Sequence, residues 1–309
     1  MGLVYHNGRF IPEEHIEKAN AQNATLRLLR SFLDANEPGL VRFLVNTWRS
    51  QGQAITYKEI REAILRGDID PQWLEDWMQD YAKLVEKVLR PAWEKAIEAG
   101  FISRAQQFPE FYFNPMADGV RAWTSTHAAE FVTNVSTSQI EGLRAVIRRA
   151  ASMEDMTVDE LARAIRPMIG LTKRDTEANL RYFEKLRSNG VTPKRARDMA
   201  IRDAARRHRE RAYSVARTEL ATAYNTGAHE ATKEAQARGY LGPTVKVWST
   251  ADDERVCPTC GALDGKEAEM DEEFTGISRS WSTRIHPPAH PGCRCGVLYV
   301  EKEPPEKIV

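Results

Sequence analysis

From Pro193 to about Gly239 the sequence reads as one uninterrupted helix. Pro193 sits at the first turn, where the N–H that proline lacks would have no partner anyway, and glycine marks the far end. At about 1.5 Å per residue such a helix is roughly 65 to 70 Å long. No single domain covers that length on all sides. The helix must bridge elements, bend, or pack against a partner chain, and the residues from 193 to 239 are expected to be incompletely covered by their own chain.

The rest of the first 241 residues is also helical in pattern. Between about 13 and 100 apolar residues recur at helical spacing, as in Leu40, Phe43, Leu44, Thr47 and Trp48, then in Trp73, Trp77, Leu84, Val88 and Leu89. Aromatic residues at these intervals on a helix read as packing rather than as a binding surface. Breaks are expected at Asn36-Glu37-Pro38, at Arg66-Gly67-Asp68 and at Gly100. Ahead of this region "VYHNGRFI" places Asn7-Gly8 between short apolar runs, the signal for a tight hairpin. The stretch "QFPEFYFNPMADG" (107–119) interrupts the helical period with two prolines while keeping four aromatics, so it reads as an ordered linker at a domain boundary. Beyond it come a helix capped by Ser136 or Thr137, one capped by Thr157 with Glu160 at its third position, and one ending at Asn189-Gly190.

After Leu241-Gly242-Pro243 the period changes to two. "TVKVWST" reads as a strand with Val245 and Val247 on one face, and "CGVLYVEK" as its possible partner. The four cysteines of the chain lie between the first run and the start of the second. Cys257 and Cys260 have the spacing that lets two thiolates of one knuckle reach a single ion, and Cys293 and Cys295 share one face of an extended backbone. His290 stands three residues before Cys293 and can replace either member of the second pair. Four or five protein donors favour a closed, structural zinc site over a catalytic one, which keeps an open position. Four reduced buried cysteines, or one long-range disulfide, are the alternatives. The start of the chain lacks the basic and apolar segments of a signal peptide, and no run reaches the eighteen apolar residues of a membrane span, so cytosolic synthesis with reduced thiols is expected. Forty-four basic and forty-four acidic residues cancel, which excludes a whole-molecule field drawing the chain to nucleic acid or membrane.

"VARTELATAYNTG", "VWSTADDERVCPTCGALDGK" and "HPPAHPGCRCGVLYV", in that order, resemble the C-terminal module of the phage Mu F-like minor head proteins, also called phage head morphogenesis proteins. The resemblance spans roughly 125 to 300 and rests on Arg217-Thr218-Glu219, Asn225, Trp248, Asp252 with Arg255, Leu263-Asp264-Gly265, Pro287-Pro288 and Cys293-Arg294-Cys295. In many relatives the position of Cys260 looks like histidine, a replacement that a metal tolerates and a disulfide does not. The resemblance implies a minor structural protein of a tailed-phage head, made in the host bacterial cytoplasm. It also implies docking on the portal or major capsid protein and possible ejection with the DNA, with no reaction catalysed.

Within the motif, Arg217 and Glu219 are expected to tie the helix end to the zinc-stabilised module, Asp252 to cap the turn after the strand, and Asp264-Gly265 to form a tight turn. Upstream, "PKRARDMAIRDAARRHRERA" carries eight Lys or Arg against three acidic residues, and Arg195, Arg202, Arg206 and Arg209 fall mainly on one side. That face is either simply solvated or contacts packaged DNA or an acidic head protein. The expected architecture is mainly α, with long helices and a small C-terminal α+β zinc-stabilised module. In linear order it comprises a helical assembly domain with a short arm (1–120), a helical domain ending in the long helix (121–241), the zinc-binding β module (242–300) and a flexible tail (301–309). Two rival functions remain: a metal-dependent nuclease or hydrolase using Glu267 or Glu269 as base, and a bare DNA-binding module.

Overall fold

The computed structural model describes residues 3–6, 9–105, 108, 111–114, 118–153, 156–250, 256–275 and 285–302, with side chains from residue 24 onward. Two strands, β1 (Leu3–His6) and β2 (Arg9–Pro12), pair antiparallel with His6 opposite Arg9. There follow α1 (Glu13–Ala54), α2 (Tyr57–Arg66), α3 (Pro71–Leu84), a short π-helical stretch (Val85–Leu89), α4 (Arg90–Ala105), α5 (Asp118–Ala151), α6 (Val158–Ile165), α7 (Lys173–Ser188) and α8 (Pro193–Ala237). The chain ends in β3 (Thr244–Ser249), the single turn α9 (Pro258–Gly261), β4 (Glu267–Glu269) and β5 (Gly296–Glu301). The mainly helical chain with a small C-terminal sheet matches the expected class.

The chain forms two compact units, each assembled from non-adjacent stretches: residues 1–37, 92–122 and 215–309 in one, residues 38–91 and 123–214 in the other. In the first unit α4 and α8 approach closely. A Cβ added at Gly100 would lie 1.9 Å from the Tyr224 carbonyl oxygen, and one at Gly227 would lie 1.9 Å from the Ile97 carbonyl oxygen. The two helices therefore cross backbone to backbone, and only residues without a side chain fit there. Gly100, expected to end a helix, is instead buried inside α4. Its helical cost of about 1 kcal/mol is overridden by this packing.

Pro38 is the second breaker that does not break. α1 runs through it, although proline removes one helical hydrogen bond. Tertiary contacts hold the turn beside it: Asn36 donates to Phe32 O at 2.7 Å and accepts from Lys95 Nζ at 2.8 Å. Glu37, only 3% exposed, takes both guanidinium arms of Arg217 at 2.7 Å. α5 likewise runs through Ser136 and Thr137, so neither is an N-cap, and Ser136 is buried inside the helix. Other punctuation falls as expected. Gly67 caps α2 with φ of 75°, Thr157 accepts from Glu160 N at 3.2 Å, and Asn189-Gly190 closes α7. Glu160 does not complete a capping box; its carboxylate accepts from Arg187 at 2.6 Å.

In the second unit Trp48, Trp73, Trp77 and Tyr81 are buried, in keeping with their reading as core. Trp48 Nε1 donates to the Tyr81 hydroxyl at 2.9 Å, and that hydroxyl in turn meets Gln139 and Gln51. Back in the first unit, Phe101, Phe108, Phe111 and Phe113 cluster with Ala231, Ala235 and Leu241, so the described part of the aromatic linker packs on its surroundings.

The sheet order is β4-β3-β5, all antiparallel, with Val247 opposite Leu298 and Trp248 opposite Val297. β3 is buried on both faces, not on the valine face alone. Lys246 and Trp248 are fully buried, while Val247 is partly exposed.

Gly227→Ala is expected to force α4 and α8 apart and to destabilise the protein by about 2 to 3 kcal/mol, at the upper end of overpacking costs. At Gly39, inside α1, an added Cβ meets nothing within 4 Å. Gly39→Ala should therefore stabilise by about 0.5 to 1 kcal/mol. Urea-unfolding midpoints of the two variants should shift in opposite directions.

Candidate metal centre

Cys257 is the N-cap of α9, and Pro258 follows at its first position. The Cys257 sulfur accepts from Cys260 N at 3.4 Å, so one helical turn holds both sulfurs on the same side. The second pair arrives from the turn before β5. Cys293 N donates to His290 O at 3.1 Å, and Gly292, with φ of 73°, supplies a left-handed residue within that turn. Pairing of β5 with β3 then brings Cys293 and Cys295 to α9. They pack with Cys260 among Trp248, Leu263, Phe274 and Ala289.

All five expected donors converge. Cys257, Cys260 and His290 form one group and Cys260, Cys293 and Cys295 another, with the ligand atoms in each within 4.8 Å of one another. Cys260 belongs to both. Its sulfur lies 3.7 Å from Cys293 Sγ and 3.1 Å from His290 Nε2, which is also 3.1 Å from Cys257 Sγ. Tetrahedral thiolates about 2.3 Å from zinc would stand about 3.8 Å apart, so the sulfur spacing fits. The donors line one cavity of about 40 Å³, room for a single ion. The cluster can hold a metal ion.

The ring orientation of His290 strengthens the fit. Its Nδ1 lies 3.0 Å from Pro291 O, and a carbonyl can only accept, so Nδ1 carries the proton and Nε2 is left with a lone pair facing the sulfurs. Hydrogen bonds from the Cys260 and Cys295 thiols hold Cys293 well below the usual thiol range, and donating to Cys293 and Cys295 pushes Cys260 up. A divalent ion bound here would displace the thiol protons.

The remaining motif residues are tied to the helices around the centre. Arg217 grips Glu37 of α1, Glu219 accepts from Trp93 Nε1 of α4 at 3.1 Å, and Thr218, between them, accepts from Gly292 N of the module at 2.9 Å. The Thr218 contact links helix and module among the described residues; Thr218 stands within the motif, but that role is expected only of its flanking residues. Asp264 Oδ1 accepts from Thr250 N at 2.8 Å, and Gly265, with φ of 72°, donates to Trp248 O at 2.9 Å, so the expected tight turn closes onto β3. Asp252 and Arg255 lie outside the described residues. Lys246 was missed because a lysine between two valines reads as the solvent face of a strand. Its Nζ instead donates to Glu272 O at 2.5 Å and Ile285 O at 2.8 Å, and burial lowers its pKa to about 8.

Glu267 and Glu269, the candidate bases of a hydrolytic centre, are exposed on either side of buried Ala268. Strand alternation puts Ala268 against the cysteine cluster and both carboxylates on the opposite face. On α8, Arg195, Arg202 and Arg209 are exposed, while Arg206 pairs with Asp203 at 2.6 Å and Glu210 at 2.7 Å. The half of the helix in the first unit is covered by its own chain, from Glu219 and Leu220 through Ala235.

Residues 150–298 match the family described as Phage Mu protein F like protein. No curated protein and no solved structure matches the chain.

Because Cys260 is shared by both donor groups, Cys260→Ser should reduce metal affinity more than Cys257→Ser or Cys295→Ser, by about a hundredfold against about tenfold. Competition with a chromophoric chelator measures this order directly. Hydrogen exchange on the Cys260→Ser protein should show protection lost over residues 244–302 before the helices loosen.

Proposed function

Residues 150–298 match the model of the Phage Mu protein F like family, and on that premise we propose that the chain belongs to that family and is a minor structural component of a tailed-phage head, acting in head morphogenesis. The family match carries this reading, since it covers all of α8 and nearly all of the module with the donor cluster. We assign the cluster a structural role with zinc as its ion. Four sulfurs and one imidazole suit that ion, and the donors enclose a space too small for a substrate.

Docking is proposed at the portal or the inner capsid surface, in a few copies per particle. The exposed arginines of α8, Arg195, Arg202 and Arg209, would meet an acidic head-protein surface or packaged DNA there. An enzymatic role would require a base at the cluster, and the two carboxylates considered for it project away.

Mass spectrometry of purified mature heads and of empty precursors should find the protein in both. Its absence from both would refute the head assignment. Purified under reducing, chelator-free conditions, the chain should carry about one equivalent of zinc. Elemental analysis finding no metal would remove zinc while leaving the head assignment standing.

A further inference from the structure

An apolar cavity lies in the second unit, which holds none of the cysteines. It has a volume of about 470 Å³, within the range of sites that take a bound group, roughly 300 to 1,000 Å³. Its apolar walls include Val45, Trp48, Ile169 and Ile201. The charged residues lining it are all arginines: Arg49, Arg166 and Arg209.

None of these three guanidinium groups has a carboxylate within ion-pair distance among the described residues. Several arginines elsewhere in the same unit are paired. Arg61 meets Asp159 at 2.8 Å, Arg144 meets Asp68 at 2.9 Å, Arg187 meets Glu160 at 2.6 Å and Arg207 meets Asp203 at 2.7 Å. Arg166 is fixed in place by donating to Gly52 O at 2.8 Å and Gln53 O at 2.9 Å, and it stacks 4.5 Å over the Tyr57 ring. Backbone carbonyls orient that cation without neutralising it. Arg49 and Arg209 are exposed at the cavity. His208 adds a polar feature to the lining: its Nε2 donates to Pro167 O at 3.0 Å, and its buried Nδ1 is an acceptor with no partner among the described residues.

We propose that this cavity is a docking site for an acidic segment of a partner protein, with one large apolar side chain seated against Val45 and Ile201 and flanking carboxylates on Arg49, Arg166 and Arg209. Charge complementarity selects the sign of the occupant, and the apolar walls select a protein segment over nucleic acid. A phosphate backbone has no group to fill such walls. A stacked base would need an open aromatic face, and only Tyr57 offers one: it is 44% exposed but already carries Arg166 over one side of its ring, while Trp48 is 1% exposed. The site is independent of the metal centre and of the head assignment, and it can be tested without either.

The test uses the full chain and a fluorescein-labelled, capped octapeptide of glutamates around a central Phe-Leu pair, read by fluorescence anisotropy at physiological salt. One control peptide replaces the glutamates by lysine and another replaces the Phe-Leu pair by serines. Both controls should bind at least about tenfold more weakly than the acidic, apolar-centred peptide. Arg49→Glu combined with Arg209→Glu should weaken the acidic peptide about tenfold and strengthen the lysine one. Ala205 lines the cavity and is exposed, so Ala205→Trp should block the anchor with unchanged helical circular dichroism. Equal binding of all three peptides, no binding at millimolar concentration, or undiminished binding by both variants would overturn the proposal. Displacement of the peptide by duplex DNA at lower concentration than by unlabelled peptide would also overturn it, making the arginines a phosphate-binding face.

Discussion

Gly100 and Gly227 let the backbones of α4 and α8 touch, and that contact fixes the platform on which the C-terminal module is built. From the crossing onward α8 presents small and polar side chains at short reach. Asn225 donates to Ala221 O at 2.9 Å and lies 3.5 Å from Cys295 O, Thr226 lies 3.2 Å from His286 Nε2, and Ala228 packs with Met270, Val297 and Tyr299. A bulkier residue at position 227 would separate the helices and move this row of contacts with them. Glu37 and Arg217 lock the same stretch of α8 to α1 through a bidentate pair in which Glu37 is buried and Arg217 half-buried. Losing one partner of such a pair costs more than the pair itself gains, because the other charge is left desolvated. The motif residues thus act through the helices, and the module inherits its position from them.

The module has little core of its own. Three short strands and one helical turn bury Trp248, Leu263, Phe274 and Ala289 around the cysteines, and a core this small supplies only marginal stability. A bound ion changes that balance, since structural zinc contributes apparent free energies on the order of 10 kcal/mol. Two donors from α9 and three from the turn before β5 mean that metal binding joins the two ends of the module, and the β3–β5 pairing already holds those ends in register. Lys246 assists by holding the carbonyls of Glu272 and Ile285 from within the sheet.

Much of this could be read from the residues in order. The cysteine spacing, the period-two runs of β3 and β5, the caps at Thr157 and Asn189-Gly190 and the extent of α8 are all local signals, and the structure follows them. The failures share one cause. Gly100, Pro38 and Ser136 are breakers or caps by local propensity, yet each lies inside a helix; the first serves a helix crossing and the second adjoins an ion pair, contacts made with residues more than a hundred positions away. Lys246 reads as a solvent-facing residue for the same reason: its acceptors lie 26 and 39 residues downstream, and nothing in the alternation marks them. The grouping of the chain into two units from interleaved stretches is equally invisible to a reading that proceeds along it.

Coverage of α8 shows how length and burial separate. A helix of this length was expected to be under-covered along its course, but the half in the first unit is enclosed by α1, α4 and the module, and the exposure falls on the half in the second unit. There the basic face is not uniform. Arg206 has two carboxylates at hydrogen-bond distance and Arg207 is shared between Asp203 and Asp175, so their charge is largely neutralised within the helix and its neighbour. Arg202 and Arg209 keep theirs, and Arg209 does so beside an apolar cavity. An exposed guanidinium beside unfilled apolar surface is solvated in isolation, but a neutral occupant of the cavity would desolvate it and strand its charge. An occupant that brings the opposite sign leaves no charge stranded.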